Sequence, residues 1–202
     1  MNNFRFLPTA HAHHKSLGLT LAELLIATGL LIFILLTVGI LDVASRKFYS
    51  KAEKGSAALQ DVSLVMEYIQ KSSQRAIGDV SSGHAAFQED ATGASFCSGF
   101  TNGWRFIIDV NQNGIFDDPA TTDGYNTFCY DNASHTVTFT DEMGTPQVIA
   151  RRIVRFSDDN TAEPGVVFFS LASRDNPSAA ASADNPDIYL EARSYLRSAS
   201  LK

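Results

Sequence analysis

The stretch Asp109-Val110-Asn111-Gln112-Asn113-Gly114-Ile115-Phe116-Asp117-Asp118 sets oxygen-bearing side chains at alternate positions, with glycine sixth. Asp109, Asn111, Asn113 and Asp117 have the donor type and spacing of the first half of a calcium loop. The twelfth position is Ala120, where an EF-hand needs a bidentate Glu. The sequence therefore favours the simpler reading, a β-hairpin with Asn113-Gly114 as its two-residue turn. Cys97 and Cys129, the two cysteines, can form one disulfide in an oxidising compartment or remain buried thiols. His84 and His135 stand in no Ser/His/Asp set and at no metal-ligand spacing. Arg151-Arg152-Ile153-Val154-Arg155 is a local basic run without interleaved aromatic rings. With a net charge of -6, nucleic acid is not expected as a partner. Asn132-Ala133-Ser134 fits a glycosylation triplet. No constellation for catalysis emerges, and the chain reads as a non-enzyme.

These residues need a scaffold, and 202 residues with 45% hydrophobic and 19% charged content supply one globular domain and an appendage. The appendage is the N-terminus. Leu24–Leu41 carries no charge, which is long enough to cross a bilayer as a helix. It exceeds the apolar core of a secretory signal, and no small-residue cut site closes it before Asp42. Arg5 and Lys15 precede it without any acid, so the remainder is expected on the far side of the membrane. A plain anchor has no use for Glu23, because an intramembrane carboxylate costs about 2.5–3.5 kcal/mol on insertion scales.

Gly18-Leu19-Thr20-Leu21-Ala22-Glu23-Leu24 resembles the cleavage and methylation motif of type IV prepilins. The resemblance is sharp over residues 15–45 and is one of layout beyond. It implies that a prepilin peptidase cuts between Gly18 and Leu19 and that the new Leu19 amine is methylated. The family's usual residue there is Phe, and Leu19 departs from it. Thr20 and Glu23 are then assembly residues. Glu23 lies one helical turn from the Leu19 amine and can pair with its own amine or with that of a neighbouring subunit.

The helical pattern continues past the apolar run. Phe48, Ala52, Gly55, Leu59, Val62, Met66, Ile69, Ser73 and Ala76 recur at steps of four and three, predicting one amphipathic face. Gly29, Gly39 and Gly55 are its soft points, and Ile77-Gly78-Asp79 supplies a stop. After a Gly/Ser/Ala-rich loop from Ser81 to Gly99, strands are predicted at 104–110, 125–130, 135–140, 147–156, 165–173 and 187–197. In the last, Ile188, Leu190, Ala192 and Leu196 share a face opposite Tyr189, Glu191, Arg193 and Tyr195. The loop at 173–187 has a flexible composition.

The expected fold is α+β and pilin-like, a long N-terminal helix whose C-terminal half packs on an antiparallel sheet. Expected regions are a leader (1–18), a transmembrane or filament-core half-helix (19–41), an amphipathic half-helix (42–80) and an extracytoplasmic β-rich domain (81–202). Outside the cytoplasm, Cys97 and Cys129 are expected to pair. The resemblance is greatest to PilW-type minor pilins, with a minor pseudopilin of type II secretion as the nearest alternative and a membrane-anchored periplasmic enzyme or sensor a third. It implies a single-pass protein of the bacterial inner membrane that enters a pilus filament. The implied partners are prepilin peptidase, major and minor pilins, the inner-membrane pilus assembly platform and membrane lipid. No cofactor is implied except calcium at 109–117.

Overall fold

The computed structural model describes residues 19–78, 85–114, 123–163 and 165–196, with 160–163 described by their backbone alone. The fold is α+β. A long helix, α1 (Leu21–Arg75), precedes eight strands: β1 (Phe87–Asp90), β2 (Asn102–Ile108), β3 (Gly124–Asp131), β4 (Thr136–Thr140), β5 (Pro146–Arg151), β6 (Ile153–Glu163), β7 (Val166–Ser173) and β8 (Ile188–Tyr195). The chain divides into two compact units between Phe48 and Tyr49, within α1. In the first unit the large apolar side chains from Leu21 to Val43 are exposed. The helix continues through Gly29, Gly39 and Gly55.

In the second unit α1 has an amphipathic face, and this face is buried. Ala58, Val62, Val65, Met66, Ile69, Ser72 and Ser73 are inaccessible or nearly so. The predicted stripe is thus displaced at its start. Phe48 is 71% exposed and Leu59 48% exposed, while Ala58 takes the buried position. The reason is close approach, since the Ser173 hydroxyl donates to the Ala58 carbonyl at 2.5 Å. A leucine there would hold the strand away. The helix also ends before Gly78. Ala76 forms a bridge with Ile108, and Ile77 N–H donates to the Ile107 carbonyl at 3.0 Å. Pairing with β2 therefore stops the helix without the glycine.

All strand pairs are antiparallel, in two sheets of order β1-β2-β3-β4-β5 and β6-β7-β8. β1 lies in what reads as loop sequence, because Phe-Gln-Glu-Asp is too short to show alternation; its register against β2 defines it. The expected strand at 147–156 is two strands in two sheets. They part at Arg152, a non-glycine residue at φ 75°. Its guanidinium donates to Asp61 at 2.8 Å and to the Ala57 carbonyl at 3.3 Å, both on α1. That ion pair offsets the cost of a left-handed backbone, about 1–2 kcal/mol for a residue with a Cβ.

One apolar core joins α1 to both sheets. Val62, Val65 and Ile69 meet Trp104, Phe106 and Phe128 of the first sheet and Phe169 and Leu171 of the second. Trp104 stacks on Phe156 across the two sheets, with ring centroids 3.6 Å apart. β8 keeps its predicted alternation, with Tyr189, Glu191, Arg193 and Tyr195 outward. The 173–187 loop is more organised than its composition suggests. Arg174 bonds Asp187 at 2.6 Å, Asn176 and Asn185 bond reciprocally, and Lys51 of α1 meets Asp184 at 2.5 Å.

Arg152→Ala is expected to destabilise the domain by about 2–4 kcal/mol, because Asp61 is left partly buried without its cation. Arg152→Gly loses the same pair but relieves the backbone, so it should be at least as stable as the alanine variant. Urea melts of both decide this. An alanine variant more stable than the glycine one would remove the left-handed strain from the account.

Candidate functional site

At the start of α1, Thr20 and Glu23 form a reciprocal cap. Thr20 N–H and its hydroxyl both donate to Glu23 Oε2 at 2.9 Å, and Glu23 N–H donates to Thr20 Oγ1 at 3.3 Å. This is a capping box, which satisfies backbone donors that a helix N-terminus leaves open. Its signal, Thr-x-x-Glu ahead of an apolar run, is present in the sequence, but the prepilin motif covers the same residues and hides it. Both bonds to the carboxylate fall on Oε2, so Oε1 keeps acceptor capacity for a second donor. Leu19 is exposed beside this cap. Gly18 lies outside the described residues. The helix beginning here is long and apolar enough to cross a membrane, with none of its most apolar window buried.

Cys97 and Cys129 are bonded, with Cα atoms 5.5 Å apart. Two features bring them together. The Asp90 carboxylate accepts from the backbone N–H groups of Ala94, Ser95 and Cys97 at 2.9–3.1 Å, curling the loop after β1. Burial raises the Asp90 carboxyl, but backbone donors at Cys97, Ser95, Ala94 and Thr92 outweigh it and hold the group below its usual range. Gly103, facing Cys129 in the β2–β3 register, leaves room for the bridge. A Cβ at Gly103 would lie 2.1 Å from Cys97 Sγ and 2.5 Å from the Phe128 carbonyl oxygen. Sequence alone does not mark Asp90 or Gly103, since only tertiary pairing gives them neighbours.

The basic run does not act as one patch. Arg152 is engaged by Asp61, and Arg151 and Arg155 lie on strands of different sheets. Asn132 and Ser134 sit in the exposed β3–β4 turn, where Asp131 accepts from Ser134 Oγ at 2.6 Å. His135 adopts φ 57° and its carbonyl accepts from Ile153 N–H. His84 is outside the described residues.

Two clefts stand out. One, of about 460 Å³, runs across β6, β7 and β8 and is lined by Arg155, Asp158, Phe168, Glu191 and Arg193 among others. Asp158 is a residue the sequence did not single out. Its carboxylate accepts from the fully buried Trp104 indole N–H at 2.6 Å. Burial, reinforced by the charge of Glu89, pushes its pKa up to about 6, while the Trp104 bond pulls the other way. A raised acid in a cleft is a candidate proton donor, yet satisfying the buried indole already accounts for an acceptor here. The second cleft, of about 520 Å³, lies at the end of α1, lined by Gln74–Ile77, Asp109 and Gln112–Gly114. Asp109, Asn111 and Asn113 are thus gathered in one turn, whereas Asp117 and Ala120 lie outside the described residues. Among the described residues no group of three or more His, Cys, Asp or Glu converges on a metal-sized site.

No protein-family model matches the chain. Neither a curated protein nor a solved structure matches it.

Gly103→Ala is expected to leave Cys97 and Cys129 partly reduced, detectable as alkylated thiols in protein from an oxidising compartment, where wild type shows none. A fully bonded alanine variant of unchanged stability would contradict the close-approach role. For Asp158, the raised folded-state pKa means the native state holds its proton more tightly than the unfolded chain. Stability from this group is therefore complete below about pH 4 and falls as pH rises through about 6. Asp158→Asn should be about 1–3 kcal/mol more stable than wild type at pH 7.5, allowing for partial solvent screening, and close to it at pH 4. Denaturant titrations at the two pH values test this; an asparagine variant weaker at pH 7.5 than at pH 4, relative to wild type, would reverse the sign.

Proposed function

We propose that this chain is a minor pilin, a structural and assembly subunit of a type IV pilus, inserted in the bacterial inner membrane with its β-rich domain on the periplasmic side. Prepilin peptidase removes residues 1–18, leaving Leu19 as the N-terminus and the methylation position. The observation that carries this reading is the Thr20–Glu23 cap at the head of a helix whose apolar side chains, Leu21 to Val43, are left exposed by the folded chain. So much apolar surface needs lipid before assembly and neighbouring apolar helices afterwards. The amphipathic part of the same helix docks on an antiparallel sheet, the layout expected of a pilin. The subunit contributes no chemistry of its own.

Within this reading Glu23 has two tasks. It caps its own helix through Oε2, and its remaining acceptor capacity and charge receive the Leu19 amine of a neighbouring subunit. Capping is worth about 0.5–2 kcal/mol. An unpaired charge inside a low-dielectric helix bundle costs several kcal/mol. The charge is therefore the larger contribution and sets the stagger between subunits.

The two tasks separate by substitution. Glu23→Gln keeps an oxygen for the Thr20 donors and loses the charge; Glu23→Ala loses both. Both variants are expected to be inserted and cut after Gly18, and both to fall at least about tenfold in sheared pili relative to processed membrane protein. Intact mass of the membrane form reports the cut. A chain retaining Met1 would sink the prepilin reading. A glutamine variant that assembles like wild type would leave Glu23 only its cap.

A further inference from the structure

We infer that the turn from Asp109 to Gly114 is a low-affinity calcium site that braces the end of α1 against β2. This does not depend on the filament reading. The hairpin alternative does not survive the strand register. β2 and β3 separate at the Ile108–Gly124 pair, so Asn113-Gly114 lies well inside a connection covering residues 109–123 and is not a two-residue hairpin turn. The backbone instead coils. Gln112 and Gly114 take φ 59° and 74°. Gly114 N–H donates to Asp109 Oδ2 at 2.8 Å, and Asn113 N–H donates to Asn111 Oδ1 at 3.0 Å. These bonds draw side-chain oxygens from the first and third positions to the inside of the turn.

The independent observation is Asp109 itself. The residue is only 9% exposed, and its second oxygen, Oδ1, has no hydrogen-bond donor among the described residues. A buried carboxylate oxygen without a donor is rare, and a bound cation is one of its standard explanations. Asp109 also lines the 520 Å³ cleft that the last residues of α1 border. A helix C-terminus presents carbonyl oxygens and partial negative charge, which favour a cation there. Arg75, the cationic side chain on that lining, is engaged with Glu142 at 3.3 Å.

Oxygen donors at alternating positions with glycine sixth select a hard cation, and the pliant geometry suits calcium better than the strict octahedron of magnesium. One carboxylate and two amides make a weakly charged site, in the range of about 10⁻⁴–10⁻³ M used by extracellular modules. Its effect would reach α1 directly. Asp109 N–H donates to the Arg75 carbonyl at 3.3 Å, one residue from the Ala76–Ile108 bridge. Calcium held at Asp109 would therefore fix the point where α1 leaves the helix and joins the sheet.

The test uses the full chain in detergent, with calcium chloride as the probe in calorimetric titration and thermal melts. A saturable heat with a dissociation constant of about 0.1–1 mM is expected, together with a rise in Tm of about 3–5 °C near 10 mM calcium. Magnesium at the same concentration should give much less. Asp109→Asn, which keeps an acceptor for Gly114, and Asn113→Ala, at an exposed position, should each weaken binding at least tenfold. Should the Asp109 variant fail to fold, Asn113→Ala carries the comparison. Absence of heat and of any Tm shift in wild type, or variants that bind like wild type, would overturn the site.

Discussion

One face of α1, from Ala58 to Ser73, has to serve two sheets at once. Such a face cannot be uniformly large. Where strands come closest its residues are small, and polar bonds replace bulk. Ser173 reaches the Ala58 carbonyl, Asn126 Nδ2 donates to Ser72 Oγ at 3.0 Å, and Ser194 bonds Ser73. Between these points Val62, Val65, Met66 and Ile69 fill the space under the aromatic cluster. The interior is close-packed, and the hydroxyls of Ser72, Ser73, Ser173 and Ser194 along this face each have a partner. A larger side chain at any of the small positions would separate the helix from one sheet and open the core to both.

The same shared face explains the break in the strand after β5. A single flat sheet would cover one side of the helix. Two sheets can both reach it if the chain turns sharply between them, and it does so at Arg152. The turn is anchored to the helix by the same residue that adopts the unfavourable backbone, through Asp61 and the Ala57 carbonyl. The stacked pair Trp104–Phe156 then closes the seam from the other side. Trp104 brings a buried N–H that must be satisfied, which is why Asp158 is held where its charged form is disfavoured.

The two parts of α1 solve opposite problems. From Tyr49 onward the helix finds its apolar partner within its own chain. From Leu21 to Leu41 its large apolar side chains are exposed, and this segment is apolar around its whole circumference. Glu23 is the exception in composition, and its cap with Thr20 gives the carboxylate local partners that lower the cost of placing it there. Under the proposed function, a carboxylate that caps its own helix and still has an acceptor oxygen suits a surface that first sits in lipid and then meets other helices.

The sequence alone determined the features whose cause is local. The length and apolarity of the first helical segment, the amphipathic period after it, the antiparallel class of the strands and the alternation of β8 all follow from spacing along the chain. The pairing of Cys97 with Cys129 was legible by a less direct route, through the compartment implied by the N-terminus. What only the tertiary structure decided depends on neighbours distant in sequence. Ala58 rather than Leu59 is buried because β7 presses against it. β1 exists because β2 supplies its register, and the 147–156 segment divides because two sheets compete for one helix face. Asp90, Gly103 and Asp158 show no pattern in the sequence, since each acquires its role from a loop, a disulfide or an indole brought to it by folding. Asp109, Asn111 and Asn113 stand between the two cases. Their spacing was visible from the start, but whether they formed a hairpin turn or a coiled loop rested on where β2 and β3 stop pairing, which spacing along the chain cannot specify.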